Sequence, residues 1–228
     1  MMKNNFGFTL AEVLITLGII GVVAALTIPA LVNNAQKKDL EAGFKKNYSN
    51  VSNVYKKLDY ESGGTLDLQV PEDMNDFLSA FSIVKTSLPT DYTNARFFDK
   101  SLSGLSDYNK FQCNSPSRPC VVLSDGSFMG LFSVNGGGSG DGRIIVDTNG
   151  MKLPNRQGYD VFTYAFSGGK LVAQGYVGLG NITYWQGCSL VSEGGANDGW
   201  SNGTNCTAYA IANKCPLDAS KTYWQCIP

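Results

Sequence analysis

Residues 13–32 read VLITLGIIGVVAALTIPALV, a run without a single charged side chain. The hydrocarbon core of a bilayer is about 30 Å thick, and about 20 helical residues span it. The run is longer than the apolar region of a cleavable secretory signal, which is usually about 7–15 residues. Pro29 lies inside it, where packed surroundings tolerate the kink that proline introduces. The segment predicts a membrane-spanning helix.

The same helix is predicted to continue beyond the apolar run. Apolar residues recur every three or four positions on one face, and Lys and Asn occupy the other face. The stripe consists of Leu40, Phe44, Tyr48, Val51, Tyr55 and Leu58. Gly63-Gly64 then ends the helix. The second half of the helix therefore offers one apolar face to a folded domain.

A carboxylate and a short polar leader precede the apolar run. Glu12 stands directly before it, and residues 1–7 read MMKNNFG. An isolated carboxylate at bilayer depth is costly and usually has a partner. Two interpretations are open. Glu12 lies in water at the interface, or the chain is cut before Phe8 and the new α-amino group pairs with a carboxylate in the same chain or in a neighbour.

The sequence Gly7-Phe8-Thr9-Leu10-Ala11-Glu12, with the apolar run that follows, closely resembles the prepilin signature of type IV pilins and type II secretion pseudopilins. The resemblance implies that prepilin peptidase cleaves after Gly7 and methylates the new N-terminal residue, Phe8. It also implies that Glu12 pairs with the N-terminal amine of an adjacent subunit during assembly. These implications rest on the N-terminal segment, which the resemblance covers tightly.

The resemblance implies a pilin-like α+β fold, in which a long N-terminal helix packs on an antiparallel β-sheet. The corresponding organisation is a leader at 1–7, a transmembrane and filament-core helix at 8–32, its amphipathic continuation at 33–62 and a globular domain at 63–228. The implied location is the bacterial inner membrane, crossed once, with a periplasmic or extracellular C-terminal domain that later joins a filament. The lysines at 37, 38, 45 and 46 weakly oppose this orientation, but charge counting loses weight for long translocated domains.

Local patterns predict both helix and strand in the globular domain. Residues 71–81 read as a short helix that begins with proline and acidic residues. Residues 120–132 read as a hairpin around Asp125-Gly126, and residues 143–147, 159–166 and 170–174 read as further strands. We expect an antiparallel sheet of about four strands that packs against the long helix.

All six cysteines lie in the second half of the chain: Cys113, Cys120, Cys188, Cys206, Cys215 and Cys226. None forms a C-x-x-C pair, so redox and zinc-ribbon motifs are absent from the sequence. An even number of widely spaced cysteines predicts disulfides in an oxidising compartment, and the alternative is buried free thiols. We favour a local Cys113–Cys120 bridge, with the other four cysteines joined among themselves.

The tail at 176–228 is predicted to be rich in loops that these disulfides hold together. Its aromatic residues include Trp185, Trp200, Tyr209, Tyr223 and Trp224. Exposed aromatics between loops can bind a protein or a glycan. The other interpretation, which we favour, is that they form the small core of the tail itself.

Asp147, Asn149 and Asp160 lie in a segment with two interpretations. Asn149-Gly150 is a common sequence for a type I′ turn between strands, which we favour. Alternatively, the three side chains converge as oxygen ligands for calcium, the only cofactor that the sequence suggests. The segment lacks the spacing and the closing Glu of an EF-hand, so the sequence does not require a metal.

The composition argues against several functional classes. The chain contains no histidine, which removes the commonest general base and every Ser–His or Cys–His nucleophile pair, so no enzymatic activity is expected. The net charge is −1 and no basic stripe is present, so nucleic acid is not an expected partner. Other pilin or pseudopilin subunits and prepilin peptidase are the expected partners. The alternative function is a membrane-anchored adhesin or glycan-binding module that does not enter a filament.

Overall fold

The computed structural model describes residues 7, 9–66, 71–81, 83–85, 120–132, 143–150, 152, 158–167, 170–173, 188 and 206–227. The helices within them are α1 (Leu10–Glu61), α2 (Pro71–Ser79), α3 (Cys206–Ala212) and α4 (Tyr223–Cys226). The strands are β1 (Ile83–Lys85), β2 (Cys120–Leu123), β3 (Phe128–Phe132), β4 (Arg143–Asp147), β5 (Val161–Ser167) and β6 (Lys170–Ala173). The chain divides inside α1 into two compact units, Met1–Asp39 and Leu40–Pro228. The boundaries predicted at 7/8, 32/33 and 62/63 stay predictions.

The first unit contains the apolar part of α1. Its large apolar side chains are exposed within this chain on every side of the helix. The hydroxyls of Thr16 and Thr27 donate to the carbonyls of Val13 and Val23, each over 2.9 Å, so these polar groups are satisfied inside the helix. By length and composition, α1 is long and apolar enough to cross a membrane.

In the second unit, the predicted apolar stripe of α1 packs against the sheet. Phe44, Val51 and Tyr55 are buried, and Leu40, Tyr48 and Leu58 are partly buried against the same core. The rings of Tyr55 and Phe166 stack at 4.3 Å between centroids. The prediction that the second half of the helix buries one face is confirmed.

The helix ends where the sequence predicts. Gly63 and Gly64 have φ angles of 69° and 82°, in the left-handed region that glycine adopts without steric cost. The Gly64 N–H donates to the carbonyl of Asp59 over 2.7 Å and satisfies one of the last carbonyls of the helix. This end therefore follows directly from the glycine pair.

The six strands form one antiparallel sheet in the order β1-β2-β3-β4-β5-β6. Val121, Met129, Val146 and Phe162 lie side by side across four strands and belong to the common core. The predicted α+β fold of a long helix on an antiparallel sheet is confirmed. The predicted strand number of about four is wrong, partly because β1 has only three residues, too few for an alternating pattern.

Two disulfides hold the C-terminal region. Cys188 pairs with Cys206, and Cys215 pairs with Cys226, so these four cysteines join among themselves. Cys120 is also disulfide-bonded, and its predicted partner Cys113 lies outside the described residues.

The tail aromatics that the structure describes belong mainly to the core. Tyr223 and Trp224 are 0% and 3% exposed, and the Trp224 ring lies 5.5 Å from that of Phe44 on α1. The Tyr223 hydroxyl donates to the carbonyl of Gly158 over 2.5 Å. Tyr209 is more exposed, and Trp185 and Trp200 lie outside the described residues. The favoured interpretation, burial, holds for Tyr223 and Trp224.

Candidate functional site

The start of α1 is a capping box formed by Thr9 and Glu12. The Thr9 N–H and the Thr9 hydroxyl both donate to Glu12 Oε2 over 2.8 Å, and the Glu12 N–H donates to Thr9 Oγ1 over 3.2 Å. This reciprocal pattern satisfies backbone donors that have no partner within a helix. The helix consequently begins at Leu10, and Gly7 lies outside it.

Thr9 is a contact that the sequence interpretation missed. Neither the interfacial interpretation nor the amine-pairing interpretation gives Glu12 a partner before cleavage, whereas the structure gives it one. The signal was present, because Thr9-Leu10-Ala11-Glu12 has the S/T-x-x-E spacing of a capping box. Phe8 lies outside the described residues, so pairing of Glu12 with an amine at Phe8 stays a prediction.

Gly7 lies in open space. Apart from its neighbours in the chain, no described residue has an atom within 4 Å of the position that a Cβ would take at Gly7. Packing among the described residues therefore does not require glycine at this position.

The other candidate site lies where β4 ends and β5 begins. Asp147 is the last residue of β4 and pairs with Val161, so Asp160 lies beside it at the same edge of the two strands. The Asn149 N–H donates to Asp147 Oδ1 over 3.2 Å, and Asn149 Nδ2 donates to Asp160 Oδ2 over 3.2 Å. The structure thus brings together all three residues that the sequence suggested.

The two carboxyl groups of this cluster are fully buried, at 0% exposure for Asp147 and for Asp160. Burial raises the pKa of Asp147 to about 9, and the nearby charge of Asp160 contributes to the increase. The N–H groups of Asn149 and Gly150 oppose it. Among the described residues, no lysine or arginine forms an ion pair with Asp147.

The type I′ turn favoured for Asn149-Gly150 is wrong. That turn needs positive φ at both central residues, and within the described chain Asn213 alone among non-glycine residues has positive φ. Gly150 does have φ of 70°, and a Cβ there would lie 2.3 Å from the carbonyl oxygen of Gly126. Residues 148–160 separate the strands, so the pair opens a long connection instead of closing a tight hairpin.

The side-chain oxygens of this cluster are of the kind that hard cations bind. Asp147 and Asp160 supply carboxylates, and the Oδ1 atom of Asn149 is buried without a hydrogen-bond partner in the part of the chain that the structure describes. Calcium accepts this kind of mixed oxygen donor set. In the described ranges no group of three His, Cys, Asp or Glu side chains that could hold a metal ion occurs, so the cluster offers a cation two carboxyl groups and no third acidic ligand.

Comparison with known proteins bears on the N-terminal segment. The family model of the prokaryotic N-terminal methylation motif matches residues 2–28, which include Gly7, Phe8 and Glu12. No curated protein and no solved structure matches the chain. The match follows the residues from which the resemblance was drawn and ends within the apolar part of α1. The N-terminal segment of this chain therefore carries the methylation signature of the type IV pilin and pseudopilin family.

Proposed function

We propose that the protein is a structural subunit of a type IV pilus or a type II secretion filament, as a minor pilin or pseudopilin. Prepilin peptidase cleaves it after Gly7 and methylates Phe8, and the N-terminal helix then assembles with helices of other subunits. The single observation that carries this proposal is the methylation motif at 2–28, which runs without interruption into an apolar helix.

The exposure of the helix supports assembly or membrane burial. Apolar side chains on every face of its first part are exposed in the part of the chain that the structure describes, so we expect lipid or other helices to cover them. A helix that only anchors a domain needs lipid alone. A filament subunit needs lipid before assembly and neighbouring helices after it.

The contacts of Glu12 suggest what stabilises its carboxylate before assembly. Thr9 supplies two donors to Glu12 Oε2 in the uncut chain. Cleavage before Phe8 creates an ammonium group one residue before Thr9, and consecutive backbone units are only about 3.8 Å apart. The new amine of the same chain or of a neighbour then competes with Thr9 for the carboxylate, with the advantage of a full charge.

The test is the N-terminus of protein purified from membranes of the native host. We expect mass spectrometry to find a chain that begins with N-methylated Phe8. An intact Met1 in the membrane protein would contradict the proposal.

Filament incorporation separates the proposal from a monomeric anchored adhesin. Glu12→Ala is expected to abolish incorporation while the globular domain stays folded by near-ultraviolet circular dichroism. Glu41→Ala is the matched control, because Glu41 is on the same helix, outside the methylation motif, and its carboxylate pairs with Lys45. Normal incorporation of Glu12→Ala would favour the adhesin.

A further inference from the structure

We propose that Asn33, Asn34, Lys37 and Lys38 form a face of α1 that binds the phosphate groups of anionic phospholipids at the membrane surface. These four side chains are the donor face. The inference rests on the proposed insertion of α1 into a membrane and adds the class of lipid that the helix contacts. Three observations carry it: the place of the donor face next to the apolar run, its arrangement on one side of the helix, and its positive charge.

The donor face begins where the apolar run ends. Leu31 and Val32, the last two residues of the run, are 72% and 47% exposed, and Asn33 follows directly. A headgroup layer about 5–8 Å deep lies on each side of the hydrocarbon core of a bilayer. At about 1.5 Å per residue, the helix from Asn33 to Lys38 extends over about 8 Å. When the run at 13–32 spans the core, the donor face therefore lies among the lipid phosphates.

The four residues of the donor face lie on one side of the helix. Asn33 and Lys37 are four residues apart, which makes them neighbours on a helix surface. Asn34 and Lys38 have the same spacing and lie beside that pair. Asp39 falls on the opposite side, because each residue is rotated by about 100° from the one before it. The donor face thus combines two ammonium groups with two amides and has no carboxylate between them.

The two lysines of the donor face have no counter-charge in the part of the chain that the structure describes. Lys38 is exposed and Lys37 is partly exposed, and neither forms an ion pair there. Further along α1 the pattern differs, because Lys45 forms an ion pair with Glu41. The carboxylate of Glu41, one turn beyond the donor face, is thus already engaged. The positive charge at Lys37 and Lys38 is available to an anion from outside the described chain.

A lipid phosphate complements these groups. Ammonium groups attract its negative charge, and amide N–H groups donate hydrogen bonds to its oxygens. Lysine can also lay its apolar stem along the helix while its charged end stays at the interface. A soluble anion would have no contact with the exposed apolar run beside the donor face, whereas a phospholipid covers both. Lipid contacts would also account for lysines on the translocated side of the span, which charge counting alone opposes.

The experiment uses the full-length protein in nanodiscs that contain equal amounts of phosphatidylcholine and phosphatidylglycerol. Native mass spectrometry counts the lipids of each class that stay bound when the protein is released. Each lysine near an anionic membrane surface strengthens association about fivefold, so phosphatidylglycerol is expected to be retained with a preference of about 5- to 25-fold. Equal retention of the two lipids would overturn the proposal. A protein that does not enter nanodiscs at all would overturn both this inference and the proposed function.

Two double variants locate the contact. Lys37→Gln/Lys38→Gln is expected to lose most of the preference for phosphatidylglycerol. Lys56→Gln/Lys57→Gln is the matched control and is expected to keep it, because it removes the same charge from exposed positions further along the same helix. An equal loss in both variants, or a preference that persists in the first, would refute the donor face. A chain that begins with N-methylated Phe8 but shows no lipid preference would refute this inference and leave the proposed function standing.

Discussion

The ring of Phe44 on α1 lies 4.5 Å from the ring of Phe162 on β5, and the two rings are tilted by 58°. Phe44 is nearly fully buried and also contacts Trp224, so it joins the helix, the sheet and the C-terminal region. Truncation of the Phe44 side chain leaves a cavity between three elements. The elements around such a cavity cannot easily move together to fill it.

Phe44→Ala is therefore expected to lower the free energy of unfolding by about 3–5 kcal/mol. Urea denaturation of the full-length protein in detergent, followed by tryptophan fluorescence, measures the change. Tyr60→Ala is the control, because Tyr60 is on the same helix and 87% exposed, and its change is expected to stay within about 0.5 kcal/mol. An equal loss of unfolding free energy in the two variants would refute the packing of Phe44 described here.

Gly150 and Gly126 offer a matched pair of substitutions. Both have positive φ, so alanine at either position adopts the left-handed conformation at a cost of about 1–2 kcal/mol. At Gly150 the new Cβ also meets the Gly126 carbonyl oxygen at 2.3 Å, whereas at Gly126 it meets no atom of the described residues within 4 Å. Gly150→Ala is expected to lower the melting temperature clearly more than Gly126→Ala. A larger effect at Gly126 would contradict the contact.

Removal of the Thr9 cap is expected to fray the start of α1. Thr9→Ala loses the side-chain bonds to Glu12, and the loss of an N-cap costs about 0.5–2 kcal/mol. Hydrogen exchange in detergent is expected to become faster at the amides of the first helical turn and to stay unchanged near Val51. Thr9→Ser keeps a hydroxyl and is expected to retain most of the protection. Fraying in both variants would assign the effect to something other than the cap.

The Lys46–Asp125 ion pair, with a distance of 2.9 Å between Lys46 Nζ and Asp125 Oδ2, predicts a pH effect in acid. Burial by itself would raise the pKa of Asp125, but hydrogen bonds from Ser127 and Lys46 outweigh it and hold the pKa below the ordinary value of aspartate. A carboxyl group with a lowered folded-state pKa stabilises the fold above its unfolded-state pKa. That contribution is lost as pH falls through the folded-state value.

Asp125→Asn is expected to destabilise the protein by about 0.2–1 kcal/mol at pH 7, as for other partly exposed pairs. The difference in stability from the wild type is expected to shrink as the pH falls below the ordinary pKa of aspartate and through the lowered folded-state pKa of Asp125. Thermal unfolding across pH 2–7 measures it, with values of pH chosen to bracket about 3.9, the ordinary pKa of aspartate. A difference in stability between the variant and the wild type that grows toward low pH would contradict this prediction.

The long helix could be predicted from sequence because its signals are local. Its membrane-spanning part is predicted by an uncharged run, its second half by an apolar stripe with a 3.6-residue period, and its end by a glycine pair. The structure has all three features in one helix. The hairpin around Asp125-Gly126 was equally predictable, since Gly126 has φ of 85° between two apolar strands. These features depend on residues that are close in sequence, so a sequence pattern predicts them directly.

Features that depend on distant partners were harder to predict. The edge strand β1 is defined by its pairing with β2, and α3 and α4 are short helices between cysteines. Convergence of Asp147 with Asp160 follows from the pairing of β4 with β5 and was only one of two interpretations. Thr9 is the exception, because its capping motif is local and the sequence interpretation passed over it for the processing site.

The contact between Trp224 and Phe44 has a consequence for the timing of folding. The two residues come from opposite ends of the second unit, and the Cys215–Cys226 bridge fixes the segment that carries Trp224. A ribosome releases Phe44 long before Trp224, so the helix waits with an incomplete core while the intervening strands are made. Contacts of such long sequence separation slow folding. The core of the second unit is therefore completed only when the segment that carries Trp224 docks on α1.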